Sequence, residues 1–173
     1  MRLIYLCGWN AMPNCPQCGM WLVKQAPRQG LLEGLLRFLA IGPLRCQLCT
    51  HRFLSLLWRF SHKPGRDYER IPVRCEVYFR PAFANDDTQP IQGTISALSI
   101  RGCTITTRVP VPKGYCLCLQ FEVADQEPPI QIDAAVVRTV NGTRIGVLFS
   151  RISPEDEARL RQHMTMLLEH HLR

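Results

Sequence analysis

The sequence predicts a mainly β protein in two parts. One is a small antiparallel six-stranded β-barrel with a C-terminal helix; a compact four-cysteine module with a helical insertion precedes it. Three observations predict this. From residue 71 onward, apolar residues recur with period two in several short runs, as half-buried strands require. Asn141-Gly142 stands between two such runs as a hairpin turn signal. Before residue 60, two Cys-x-x-Cys pairs are separated by 27 residues.

The totals agree with a two-part chain. Its 173 residues hold no run of about 18 uncharged apolar residues, so no membrane-spanning helix is expected. The first segment, "MRLIYLCGWNAMP", is too short and too polar for a signal peptide. Nine cysteines in an unexported chain predict thiols or metal ligands in a reducing compartment, hence a cytoplasmic location. The net charge of +7 is lopsided: residues 1–65 carry eight Lys/Arg and one acid, Glu33, whereas residues 66–173 carry thirteen of each. All three tryptophans (Trp9, Trp21 and Trp58) also lie in the first third. Composition breaks at "SHKPGR", where Pro and Gly mark a linker. These features divide the chain into a module at 13–60, a linker at 61–69 and a barrel with its helix at 70–173.

In the first module, "CPQCG" and "RCQLCTHRF" supply Cys15, Cys18, Cys46 and Cys49. Each Cys-x-x-Cys turn aims two thiolates at one point, and two turns complete a tetrahedral Zn²⁺ shell. The alternative is a set of buried or redox-active thiols; two pairs together favour metal. Gly19 suits the positive-φ position just after such a turn. His51 is a spare donor expected at the surface or behind the ligands. Cys15, Pro16, Cys18, Gly19, Cys46, Cys49 and the trailing Arg52-Phe53 resemble the zinc-ribbon family over residues 13–60, with a long spacer. Four closed thiolates leave no open coordination position, so the metal is expected to be structural.

The spacer reads as a helix. Leu31, Leu32, Leu35, Leu36 and Leu39 fall on one face, with Glu33 and Arg37 elsewhere and Gly42-Pro43 as the stop. The helix is expected to pack on its own module or on the barrel. A peripheral membrane or partner contact is the alternative. "RFLSLLWRF" adds Phe53, Leu56, Leu57, Trp58 and Phe60, more apolar surface than so small a module can bury alone.

In the second module Ile71, Val73, Cys75, Val77 and Phe79 alternate with Pro72, Arg74, Glu76 and Tyr78. Tyr115, Leu117, Leu119, Phe121 and Val123 alternate likewise, as do Ile130, Ile132, Ala134 and Val136. Further strands read at 91–98 and 102–108, and "VVRTVNGTRIGVLF" reads as two strands joined by Asn141-Gly142, the first of them sharing Val136 with the run from Ile130. Six short, mostly hairpin-linked strands predict a small antiparallel barrel. Ser153, Pro154 and Asp156 start the last helix as a capped first turn. Its stripe of Leu160, Met164, Leu167, Leu168 and His171 is expected to cover a barrel opening. Cys116 and Cys118 form a lone Cys-x-Cys, read as structural.

Arg66, Arg70 and Arg74 are spaced by four, but Pro72 forbids one helix through them. Arg66-x-x-x-Arg70 precedes a strand, and "ALSIRG" follows later, with Ser99 and Gly102 as S-x-x-G. Together with the barrel, the C-terminal helix and "RIGVLFSRIS", these motifs resemble the PilZ domain, the bacterial receptor for cyclic di-GMP, over about residues 64–172. The resemblance implies that Arg66, Arg70, Ser99 and Gly102 bind the nucleotide, with Arg74 as a second register. The chemistry agrees. A guanidinium fork pairs with phosphate or with guanine O6/N7, and residues four apart on an extended linker span about 13 Å. Ser99 could meet a guanine edge, and Gly102 permits close backbone approach.

One position departs from the family's second motif, which begins with Asp or Asn: this chain has Ala97. Alternation is expected to turn neighbouring Ser96 to the other face. The sequence therefore predicts a non-enzymatic receptor or adaptor. It would bind cyclic di-GMP, hold Zn²⁺ and relay a signal to an unidentified protein partner. The alternatives are a zinc-ribbon nucleic-acid binder and a degenerate PilZ adaptor that does not bind the nucleotide.

Overall fold

A computed structural model describes residues 13–56, 67–83, 88–123 and 128–171, with the backbone alone of Arg37, Glu169 and His171. Contacts divide the chain into two units, Met1–Asp67 and Tyr68–Arg173. Among the described residues no helix is long and apolar enough to cross a membrane.

In the first unit, β1 (Val23–Gln25), β2 (Ile41–Cys46) and β3 (Arg52–Leu56) form an antiparallel sheet in the order β1-β2-β3. Its core is slight: Cys15, Met20, Val23, Ala26, Leu44 and Cys46. Helix α1 (Gly30–Leu36) and a 3-10 turn (Arg37–Leu39) are inserted between β1 and β2. Within its own unit the leucine face of this helix is not buried. No α1 residue is buried, and Leu31 and Phe38 are 90% and 84% exposed. Glu33 explains the inversion. Its carboxylate accepts paired hydrogen bonds from the Arg52 guanidinium on β3 (2.6 and 2.7 Å), so the polar face is tied down and the leucines turn away. The stop also differs from expectation. Ala40, at φ 53°, ends the helical segment, and Gly42-Pro43 lies within β2. Leu57, Trp58 and Phe60 lie outside the described residues.

The second unit is the six-stranded barrel. Strands β4 (Ile71–Pro81), β5 (Ile91–Ser99), β6 (Gly102–Thr106), β7 (Cys116–Phe121), β8 (Ile130–Asn141) and β9 (Arg144–Arg151) close in the order β4-β5-β6-β9-β8-β7. Alternation holds in β4 and β7, where Val77, Phe79, Leu117, Leu119 and Phe121 are at most 3% exposed and Arg74, Glu76 and Tyr78 face out. In β8 it holds for Ile130 and Ile132, but a register shift at Ala134 buries Ala135 and Val137 where Ala134 and Val136 were expected. Burying one such side chain contributes about 1.5–3 kcal/mol. Tyr115 falls before β7 and is exposed. The β8–β9 turn sits one residue later than predicted. Asn141 pairs with Arg144, so Gly142-Thr143 is the turn, and only Gly142 takes positive φ (56°).

Helix α2 (Pro154–His171) starts as its sequence predicts: Asp156 N–H donates to Ser153 Oγ (3.0 Å), and Ser153 Oγ donates to Asp156 Oδ2 (2.8 Å). Asp156 also accepts from the Gln131 N–H of β8 (3.3 Å), locking the cap to the barrel. Leu160, Met164 and Leu168 form the buried stripe, and the helix lies against β8 and β4. The His171 side chain lies outside the described atoms.

Candidate nucleotide site and cysteine cluster

Two-residue turn Ile100-Arg101 links β5 to β6, with Ser99 paired to Gly102. Ser99 is 3% exposed, and its Oγ donates to Gly102 O at 2.8 Å. Its hydroxyl proton therefore braces the turn and is not turned to solvent. Gly102 has an equally local reason: a Cβ there would lie 2.2 Å from Val147 O on β9. Arg101 O accepts from Phe149 N–H (2.9 Å), completing the link to β9. The S-x-x-G pattern is thus a close strand seam as well as a motif.

Counting back from this turn pairs Leu98 with Cys103 and Ala97 with Thr104. There Arg70, just before β4, donates from a guanidinium nitrogen to Thr104 Oγ1 at 2.8 Å. The same guanidinium lies across the β6–β9 seam, 3.7 Å from where a Cβ of Gly146 would stand. Gly146 pairs with Thr104, so this flat seam gives the arginine its seat. Thr104 and Gly146 were not singled out from the sequence, although the register from a two-residue turn makes Thr104 countable.

Ser96 departs from its expected face. The ladder runs Ile95↔Ile105 and then Ala97↔Thr104, so Ser96 is an extra residue. Ile95 and Leu98 are both buried, three apart, and Ser96 and Ala97 between them are both half-exposed. Ser96 Oγ donates to Thr104 O at 3.4 Å, on the arginine's neighbour. Arg74 is exposed on β4, as alternation requires. Arg66 lies outside the described residues.

In the first unit, Cys15, Cys18, Cys46 and Cys49 converge, all Sγ atoms within 4.8 Å of one another. Cys15 and Cys49 are 3.5 Å apart, and Cys18 and Cys46 3.6 Å. Tetrahedral Zn–S bonds of about 2.3 Å require S···S edges of about 3.8 Å, so the donor set fits that ion. The Leu48 and Cys49 N–H groups point at Cys46 Sγ (3.4 and 3.5 Å), the polarity a thiolate needs. Burial pushes the Cys46 and Cys49 thiols up. At Cys18 burial opposes ionisation, but hydrogen bonds from the Met20 backbone and neighbouring thiols pull it below its ordinary value. In the barrel, by contrast, burial alone pushes Cys75 up to about 11, which suits an inert thiol. Cys118 donates to Asp133 O (3.1 Å).

The two turns match each other. Gly19 follows the first at φ 74°, and Thr50 follows the second at φ 63°. A β-branched residue is strained there. His51 is half-exposed and stacks on Phe53, its ring centroid 6.1 Å away. Gln47, inside the second turn, is 3% exposed and donates to Asp67 O at 3.2 Å. The cysteine turn thereby holds the last residue of its unit, three residues before Arg70.

A closed antiparallel barrel with a capped C-terminal helix and an arginine seated before its first strand defines a small-barrel module. The chain belongs to the PilZ domain family, a family of cyclic di-GMP receptors and adaptors, and the family profile matches residues 64–165. Among solved structures, Bacillus subtilis inhibitor of motility (MotI/DgrA) is 21% identical, with a TM-score of 0.50. The match covers 69% of this chain and 58% of that one. Escherichia coli YcgR, solved in complex with c-di-GMP, is 14% identical with a TM-score of 0.49, covering 75% of this chain and 65% of that one. These likenesses are of fold, and the chain spans under two thirds of either relative. No curated protein matches significantly.

Proposed function

We propose that the chain is a cyclic di-GMP receptor and adaptor: the 70–173 barrel binds the nucleotide, and the 13–60 module, held by a structural Zn²⁺ on Cys15, Cys18, Cys46 and Cys49, passes the signal to a protein partner. The observation that carries the reading is Arg70, whose guanidinium is seated on Thr104 beside the Ala97 position. A guanidinium already oriented loses less freedom when it pairs with guanine or phosphate. Arg66 would add a second fork from the linker at 61–69. Thr104 stands where it can orient Arg70, a task the family's acidic or amide residue would serve and Ala97 cannot. Ser99 and Gly102 support the site through the turn they build. Nine cysteines suit a reducing cytoplasm, and four thiolates around one ion give a receptor no catalytic metal.

A second reading has its own support. Ala97 supplies no charged acceptor, and the Ser99 hydroxyl is buried and engaged. Both favour a PilZ adaptor that has lost the nucleotide. Calorimetry of zinc-loaded protein with cyclic di-GMP decides between them. Saturable binding, tightened by Ala97→Asp, supports the receptor. Absence of heat, with a folded barrel, supports the adaptor.

A further inference from the structure

Outward residues of four barrel strands fall into straight rows. Ala97, Thr104, Gly146 and Thr139 are paired in direct register from β5 through β6 and β9 to β8. Directly opposed side chains share a face, so this row crosses the sheet in one line of about 14 Å. The Arg70 guanidinium lies on it: it donates to Thr104 Oγ1, and a Cβ at Gly146 would meet both that guanidinium and Thr139 Oγ1. Two residues further along β6, β9 and β8, about 7 Å away on the same face, runs a second row. It consists of Thr106, Arg144 and Asn141, and the extra residue Ser96 brings Thr94 of β5 into line with them. Thr94 and Thr106 are half-exposed, and Arg144 and Asn141 are exposed. Every member of this row is polar, and Arg144 is its one charge.

Among the described residues the Arg144 guanidinium has no ion-pair or hydrogen-bond partner. Strands β5, β6 and β9, and β8 from Ala134 onward, hold no Asp or Glu, so nothing on these four strands answers its charge. An exposed guanidinium so placed is a fork open to a phosphate. Asn141 beside it offers an amide donor and acceptor for a base edge. Ala97, at the β5 end of the first row, offers neither. We propose that Arg144 is a further nucleotide-contacting residue, pairing with a phosphate of cyclic di-GMP laid across the two rows from Arg70. The inference rests on the receptor reading and moves part of its contact surface from β5, where the Ala97 side chain has no polar atom, to β9 and β8.

Calorimetric titration of the full-length, zinc-loaded chain with cyclic di-GMP tests it. Arg144→Ala should weaken binding at least about tenfold, the loss of one charged contact. The affinity of this variant should also fall less steeply with added salt than that of the native chain, because one ion pair is missing. Arg144 is exposed, so the variant's thermal melt should match the native one. Arg151→Ala removes the same charge at the far end of β9, where the side chain stands 3.8 Å from Asp133. It should change affinity less than about twofold, as a loose surface pair contributes little. Native-like affinity in Arg144→Ala, or an equal loss in Arg151→Ala, overturns the proposal and leaves the receptor reading standing on Arg70. If the native chain gives no heat, the receptor reading fails and the Arg144 contact fails with it.

Discussion

The barrel and the cysteine unit are organised in opposite ways. In the barrel, period-two alternation sends Val77, Phe79, Leu119 and Ile132 inward, and charges face water. In the first unit the largest apolar side chains of the helical segment face out, and an ion pair takes the inner side. Such a sheet buries little, and on the proposed reading a metal held by the four cysteines supplies the rest of its cohesion. A barrel of this kind folds by its core; the smaller unit, on the proposed reading, folds by its metal ligands.

The largest effect that could break this contrast is loss of a ligand. Cys18→Ser, or chelation, should unfold the first unit and leave the barrel folded, because binding energies for structural zinc are about 10–16 kcal/mol and serve as folding energy. All three tryptophans lie in the first third, so their fluorescence should report the loss while barrel amide exchange stays protected. Less than about half an equivalent of zinc in protein purified without chelator would remove the basis for it.

Next in size is the reciprocal test. Gly102→Ala should destabilise the barrel by about 1–3 kcal/mol, since its Cβ would press on the Val147 carbonyl, with no change in tryptophan emission. Denaturant melts followed by circular dichroism measure it. A stable Gly102→Ala barrel would show that the glycine answers to ligand approach and not to the seam. The smallest effect is at Thr50. Thr50→Gly should raise the midpoint of the first unit's tryptophan-detected transition, worth about 1 kcal/mol, by relieving a left-handed β-branched residue. A fall would mean that the Thr50 side chain contributes more than its strain costs.

Much of the barrel was legible in the sequence because alternation is a local signal. Six strands and most of their inward residues follow from it; the exception is the end of β8, where a register shift turned Ala135 and Val137 inward in place of Ala134 and Val136. What was not legible depends on pairing. The Ser96 bulge is a slip between β5 and its neighbours, and no single strand records it. The turn at Gly142-Thr143 was off by one because Asn141 and Gly142 both tolerate positive φ, and the ladder chose between them. The outward turn of α1 was illegible because Leu31 to Leu39 look the same facing in or out; the decision lies in Glu33 meeting Arg52 from 19 residues away. At the candidate site, Arg70 and Arg74 could be told apart from Pro72 and the strand pattern. Thr104 needed only the register of a two-residue turn. The Thr50 conformation could have been inferred from its place beside Gly19 in the paired cysteine turns.

The central claim is that a seated arginine before the barrel makes this chain a cyclic di-GMP receptor. Titrating Arg66→Ala, Arg70→Ala and Arg74→Ala side by side with the nucleotide tests it most directly. The account predicts that Arg66→Ala and Arg70→Ala each lose about 1.5–3 kcal/mol, roughly tenfold to more than a hundredfold in affinity, while Arg74→Ala binds nearly as the native chain does. Unchanged binding in Arg70→Ala, or loss confined to Arg74→Ala, would contradict it.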